Sequence, residues 1–325
     1  MSKSNSRRFL SLFAACAALA GFATDASSQA FPSKNINLIM PLPASSTYTV
    51  LLRAMGDLIQ QKTGKAVVMD PTIGADGTLA PQKLARAEAD GHTISLVWAA
   101  PMTLNPHITK EIGYDPLRDF APITMLTRHG QFFVAHPSFQ ANNLREFIAL
   151  AKANPGAVKV GTAGTGSKIG LIQLSEAAGI KLLEVPYKSP GQMDPAVMSG
   201  EVDVVVYTVG ATIGYVRSGK VKPLFIGTKN RSPIAPDVKS MSEDIPNFEM
   251  VSWFALIAPA KTPPERIEWL NREWNAALKD PKIADRMQNA LGYDIVAGTP
   301  QDLGNQIKAE LPVFARIVKE YNLAP

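Results

Sequence analysis

The chain has 325 residues, with 33 Lys and Arg against 28 Asp and Glu, a formal net charge of +5 and a single cysteine. Lys3, Arg7 and Arg8 less Asp25 account for +2 of that charge, leaving +3 spread along the rest without a Lys/Arg block. This balance argues against nucleic-acid binding while leaving a mild attraction for anions, and a lone Cys16 excludes an intrachain disulfide, a thiol nucleophile in the mature chain and a cysteine-built metal site.

Residues 1–30 read as a secretory leader. Lys3, Arg7 and Arg8 form a positive start, Phe9 to Phe22 an apolar run, and Ser28-Gln29-Ala30 a small-residue cleavage site. The run is short of the about 20 apolar residues a membrane helix needs; a retained anchor helix is the alternative. Ser6-Arg7-Arg8 hints at twin-arginine export, but Phe9 follows too early, so Sec-type export is expected. Phe13-Ala14-Ala15-Cys16 is a weak lipobox lookalike inside the apolar run. Cleavage near Ala30 would leave a periplasmic mature chain with no cysteine and no further segment able to enter a membrane.

From Phe31 onward, β-branched runs alternate with helical patterns, which indicates α/β folding with crossover helices. Strands are expected at Ile36–Met40, Ala66–Met69, Thr93–Val97, Val158–Val160, Leu182–Val185, Val202–Val206 and Leu224–Ile226. Leu51, Met55, Leu58 and Ile59 mark a helix stopped by Gly64, and helices are also expected at Leu79–Ala89 and Leu144–Ala153. Ile123–Ala135 reads as an extended segment broken near Gly130, and Val251–Ala258 as a long apolar one; these two could cross between lobes. Thr262 as N-cap, Pro263 at N1 and Glu265 reaching back from N3 predict a helix start, followed by the buried stripe Ile267, Leu270, Trp274 and Leu278. A last helix carries Leu303, Ile307, Leu311, Phe314 and Ile317.

The motifs of catalysis are mostly missing from the sequence. The four histidines, His92, His107, His129 and His136, never take the spacing that places two imidazoles on one helix face, and no Gly-x-Ser-x-Gly elbow occurs. Gly161-Thr162-Ala163-Gly164-Thr165-Gly166-Ser167-Lys168 approaches a phosphate loop, but Ser167 and Lys168 stand in the wrong order. What remains is a strand, a small-residue turn and a helix start, which suits an anion and equally suits a turn that needs glycine for steric reasons. The loop Pro41 to Thr49 holds the same position after the first strand, with N-capping as its simpler reading. Gly74-Ala75-Asp76-Gly77 and Trp98-Ala99-Ala100 fall on the same rim, where open α/β sheets bind ligands.

At this point the sequence resembles the Bug-type periplasmic solute-binding proteins of tripartite tricarboxylate transporters, over essentially the whole mature length. The matching pieces include Phe31-Pro32-Ser33-Lys34, Gly74-Ala75-Asp76-Gly77, Asp90-Gly91-His92-Thr93, Asn105-Pro106, Tyr114 to Pro122, Gly161 to Ser167, Val185-Pro186-Tyr187-Lys188, Gly200-Glu201-Val202-Asp203, Ser252-Trp253-Phe254 and Ala258 to Pro264. No single piece is diagnostic; their number and order carry the resemblance.

The resemblance implies a two-lobed periplasmic-binding-protein fold of type II character. Each lobe would be a mixed sheet flanked by helices, joined by crossing hinge strands, with 31–126 and 254–325 as one lobe and 127–253 as the other. It implies capture of a small organic acid through main-chain amides and waters, delivery to the membrane subunits of a transporter, a monomer, and neither cofactor nor metal. Carried over by position, the contacts are Ala44, Ser45, Ser46, Thr47, Tyr48, Trp98, Ala99 and Ala100 from the first lobe. Those of the second are Thr162, Ala163, Gly164, Thr165, Ser167 and Tyr207. Ser45-Ser46 replace the family's usual Gly-Gly, Thr49 its Asp, Tyr207 a common strand-end Asp, and Trp98 a small residue. Tyr48, Trp98 and Tyr207 could therefore contact a flat or aromatic acid, or simply fill a smaller pocket. A ligand-presenting sensor component is the alternative function. A hydrolase or transferase on a similar frame lacks a nucleophile–base motif.

Overall fold

The computed structural model describes residues 31–324, so the leader, Cys16 and the expected cleavage site at Ala30 lie outside the described residues. Ile36, Leu38, Ile39 and Met40 of β1 (Ile36–Met40) are all buried, as expected of a parallel strand covered on both faces. α1 (Thr47–Thr63) ends at Gly64, and β2 (Val67–Pro71) pairs with one edge of β1. α2 (Leu79–Leu84) stops short of the expected Ala89. There the chain tightens, Arg86 donating to Lys83 O and Ala87 to Leu84 O, and swings into β3 (Thr93–Trp98) on the other edge of β1. A π-turn over Ala100–Leu104 and the short α3 (Asn105–Ile108) lead to β4 (Phe120–Ala135).

The chain continues through α4 (Leu144–Ala153), β5 (Lys159–Ala163), α5 (Thr165–Ala178), β6 (Leu183–Tyr187) and α6 (Pro190–Ser199). Next come β7 (Val204–Thr208), α7 (Val209–Arg217) and β8 (Lys222–Ile226). It returns through β9 (Val251–Pro259) to α8 (Pro264–Leu278), α9 (Pro281–Asp285), β10 (Asp294–Ile295) and α10 (Pro300–Glu320).

β4 is the spine of the molecule. Its sixteen residues span roughly 50 Å at about 3.3 Å each, enough to serve two sheet halves. The first half of β4 pairs with β10 and with β9, and β9 joins it to β3, β1 and β2; the second half lies between β7 and β8, with β5 and β6 beyond β7. Side chains alternate as a strand requires: Phe133 and Ala135 enter the core beneath α4, while Phe132 and Val134 enter the core with Met193 and Val197 of α6. In the first half, Leu38 and Met40 pack with Leu52 of α1 and Trp274 of α8, and Ile39 packs on the opposite face with Leu303 and Ile307 of α10.

β4 does not break near Gly130, contrary to expectation. Gly130 stays paired with Val251, and Gln131 takes up Thr208 of β7. The glycine serves close approach: a Cβ there would sit 2.5 Å from Thr228 Cγ2 and 3.0 Å from Thr228 N. The irregularities fall elsewhere on the strand, between Pro122 and Thr124, Met125 and Thr127, and Phe133 and Val134. At the crossing, Gln131 N donates to Met250 O (2.9 Å), Met250 N to Gly227 O (2.7 Å), and Gly227 N to Gln131 O (2.7 Å). This ring of main-chain bonds ties three passes of the chain together.

The helix start at Thr262 also differs. α8 begins one residue later, Pro263 is its N-cap through its carbonyl, and the buried Thr262 Oγ1 has no hydrogen-bond partner. A capping box does form at Thr299 and Asp302, at the start of α10. The expected stripe Ile267, Leu270, Trp274 and Leu278 is buried. Among the described residues, no helix is long and apolar enough to cross a membrane.

Candidate functional site

The ends of β3, β5 and β7 converge on one cavity of about 330 Å³ beside the β4 crossing. From the first sheet half come Asp76, Trp98, Ala100 and Ser252; from the crossing, His129 and Gln131; from the second half, Ala163 to Ser167, Met193 and Val206 to Thr208 with Ala211.

The β5–α5 turn is shaped by its own side chains. Gly164 takes φ 80°, and Ser167 Oγ accepts from Ala163 N at 3.1 Å while lying 2.9 Å from Ala163 O and 3.0 Å from Gly164 O. Ser167 therefore braces the loop, and no side chain caps α5. The β7–α7 turn at Thr208 is likewise without a side-chain cap. Two helix starts thus present first-turn N–H groups, and the positive ends of their dipoles, beside the same cavity. Tyr207 contributes its ring, but its hydroxyl donates to Asp194 Oδ1 at 2.5 Å, and Tyr215 OH lies 3.4 Å from Asp194 Oδ2. Burial first and that carboxylate second push the Tyr207 phenol well above its ordinary pKa.

His129, in the lining, belongs to a neutral aromatic stack. Tyr48, Phe254, His129 and Tyr293 follow one another with ring centroids 4.2, 5.4 and 4.6 Å apart. His129 Nδ1 is buried without a partner, and burial pulls the imidazole down to about 4, so the ring is uncharged at neutral pH. No Lys or Arg lines this cavity, and Asp76 is its one acidic lining residue.

Of the residues expected from sequence, Trp98, Ala100, Ala163, Gly164, Thr165, Ser167 and Tyr207 line the cavity together. Ala99 faces an adjoining recess of about 290 Å³. Thr162 is buried within β5 and donates to Glu184 Oε1 at 2.8 Å. Ala44, Ser45 and Ser46 lie on the loop and cap ahead of α1 and Thr47 is the helix's first residue, all four outside the lining, and Tyr48 points into the core with its hydroxyl 2.9 Å from Thr127 Oγ1. The sequence pattern does not mark Asp76, His129, Gln131 or Thr208 individually as cavity residues. Asp76 falls within the rim motif Gly74-Ala75-Asp76-Gly77, while nothing local marks His129 or Gln131, whose place depends on where β4 crosses.

The adjoining recess shares Ala100, Gln131, Gly166 and Ser252 with the cavity. It holds the Arg128–Glu249 ion pair (3.1 Å) and Glu310, which accepts from Trp253 Nε1 (3.1 Å), Thr103 Oγ1 (3.0 Å) and Gln306 Nε2 (2.7 Å). Burial raises the Glu310 carboxyl above its usual range in spite of those donors. Gln131 Oε1, on the boundary between the two spaces, is buried without a partner.

Residues 51–323 match the family described as "Tripartite tricarboxylate transporter family receptor". The chain belongs to this family. Among tripartite tricarboxylate receptors and their relatives, it is 30% identical to the protein BugT of Bordetella pertussis over 97% of this chain and 98% of that one. The solved periplasmic binding protein BugD is 28% identical and superposes with a TM-score of 0.73, covering 90% of this chain and 99% of that one. MatC from Rhodopseudomonas palustris, solved with bound malate, is 25% identical with a TM-score of 0.72, covering 89% and 100% of the two chains. The fold of this receptor is accordingly the two-lobed fold of periplasmic binding proteins.

Proposed function

We propose that this receptor is exported to the periplasm, captures one small carboxylate in the cleft between its lobes and hands it unchanged to the membrane subunits of a tripartite tricarboxylate transporter. The lobes are residues 31–126 with 254–325, and 127–253; the exchange of β4 partners at Gly130 and Gln131 lies close to these limits. One observation carries the reading: a cavity without basic side chains is bordered by the uncapped starts of α5 and α7. Such N–H groups bind a carboxylate without a cationic partner. The Ser167 hydroxyl, in the lining, is bonded to loop backbone and not to a base.

A thermal-shift screen of purified mature protein tests this. A bound acid at 100 times its dissociation constant adds about 2.7 kcal/mol, a rise of several degrees at about 2–4 °C per kcal/mol. Recovery of the acid unaltered after incubation is expected. Stabilisation by sugars or metals and by no acid would contradict the proposal.

A further inference from the structure

Asp76 is held in an unusual manner. It and Ala75 are non-glycine residues in the left-handed region, at φ 49° and 46°, where side chains are disfavoured and which persists only when the surroundings over-determine it. Here they do. The backbone of the turn lies hard against the Trp98 indole, since a Cβ at Gly77 would sit 2.3 Å from Trp98 Cη2, and Asn105 Nδ2 donates to Asp76 O at 3.3 Å. Asp76 is thereby fixed beside Trp98 in the cavity lining. No Lys or Arg forms an ion pair with it among the described residues. Although it is an exposed residue, enough protein surrounds it that desolvation raises its carboxyl above the usual range.

Gly164 to Gly166 at the start of α5, and Thr208 ahead of α7, border the same cavity from the other sheet half. A ligand that fills the space meets N–H groups at one end and a carboxylate acceptor at the other. We infer that Asp76 determines specificity, selecting monocarboxylates whose far end carries a hydrogen-bond donor, an ammonium or a hydroxyl, and rejecting a second carboxylate there. The inference rests on the carboxylate reading above. An ionised Asp76 accepts hydrogen bonds and donates none, so a dicarboxylate would set two like charges together in a partly desolvated space. Rejection of this kind is how a site discriminates against near neighbours of its ligand.

Calorimetric titration of the mature protein tests the inference with matched probes: hexanoate, ω-hydroxyhexanoate, ω-aminohexanoate and adipate, and benzoate, para-hydroxybenzoate and terephthalate. The hydroxyl and ammonium arms separate a neutral donor from a cationic one. In each series that binds, the wild type should bind the donor-bearing acid ~tenfold or more tightly than its dicarboxylate, and Asp76→Asn should reduce that preference ~tenfold. Asp76→Gly, which accepts left-handed backbone freely, serves as a second variant with the same expected loss. A dicarboxylate bound as tightly as its donor-bearing counterpart, or a preference unchanged in both folded variants, would overturn the role of Asp76 alone. Failure of every acid in both series would overturn the carboxylate reading and Asp76 with it.

Discussion

His129 lies stacked on Tyr293, ring centroids 4.6 Å apart and planes 23° from parallel, just before β4 passes from one sheet half to the other. The imidazole is buried, and its pKa falls from 6.5 to about 4 because burial penalises the charged form. The unfolded chain therefore binds a proton between about pH 6.5 and 4 that the folded chain refuses, and stability falls as pH drops through that window. His129→Phe keeps the ring and removes the titration. Without ligand, the variant should lose less stability than wild type between pH 7 and 4, by about 2–3 kcal/mol. Parallel pH profiles from urea melts would refute the assignment.

Gly130 and Thr228 should be energetically coupled. Gly130→Ala puts a methyl 2.5 Å from Thr228 Cγ2, an overpacking expected to cost about 1–3 kcal/mol. Thr228→Ser removes that carbon and should restore part of the loss, leaving the 3.0 Å approach to Thr228 N. A double-mutant cycle by denaturant unfolding measures the coupling; additive effects would mean that the strands separate freely at this crossing.

Two threonines near helix starts should respond differently. Thr299 accepts from Asp302 N at 3.1 Å in a complete capping box, so Thr299→Ala should cost about 1 kcal/mol. Thr262 Oγ1 is buried without a partner, so Thr262→Val, which keeps the shape, should be near neutral or stabilising. Equal losses in chemical denaturation would contradict the difference.

Trp98 and Tyr207 contribute ring surface to the cavity, the latter with its hydroxyl already committed to Asp194. Trp98→Ala should weaken an aromatic acid more than an aliphatic one of similar size, by about 1 kcal/mol in the difference. Titration of both ligands against both proteins reads this directly, and equal weakening would make the indole a structural filler.

Much of the scaffold was legible because burial writes itself into periodicity: β1, α4 and the stripe on α8 follow from apolar spacing alone. The strand ends were less so. β5 runs on through Gly161, Thr162 and Ala163, and β7 through Tyr207 and Thr208, because apolar alternation fades where strands leave the core for the cavity. Ser167 and Trp98 could be found from their place after strands. His129 could not, since a histidine inside a strand carries no local mark of the long-range crossing that brings it to the cavity. Tyr48 shows the converse. Its loop adjoins the rim in sequence, but the phenol turns inward to Thr127, where its hydroxyl is satisfied.

The most direct test is a crystal structure of the mature protein with a bound acid identified by the screen. A ligand carboxylate should lie about 2.7–3.2 Å from N–H groups in the first turn of α5, inside the cavity lined by Trp98 and Tyr207. An acid bound tightly in solution but seated elsewhere, with this cavity holding only water, would contradict the claim that the receptor captures its ligand between its lobes.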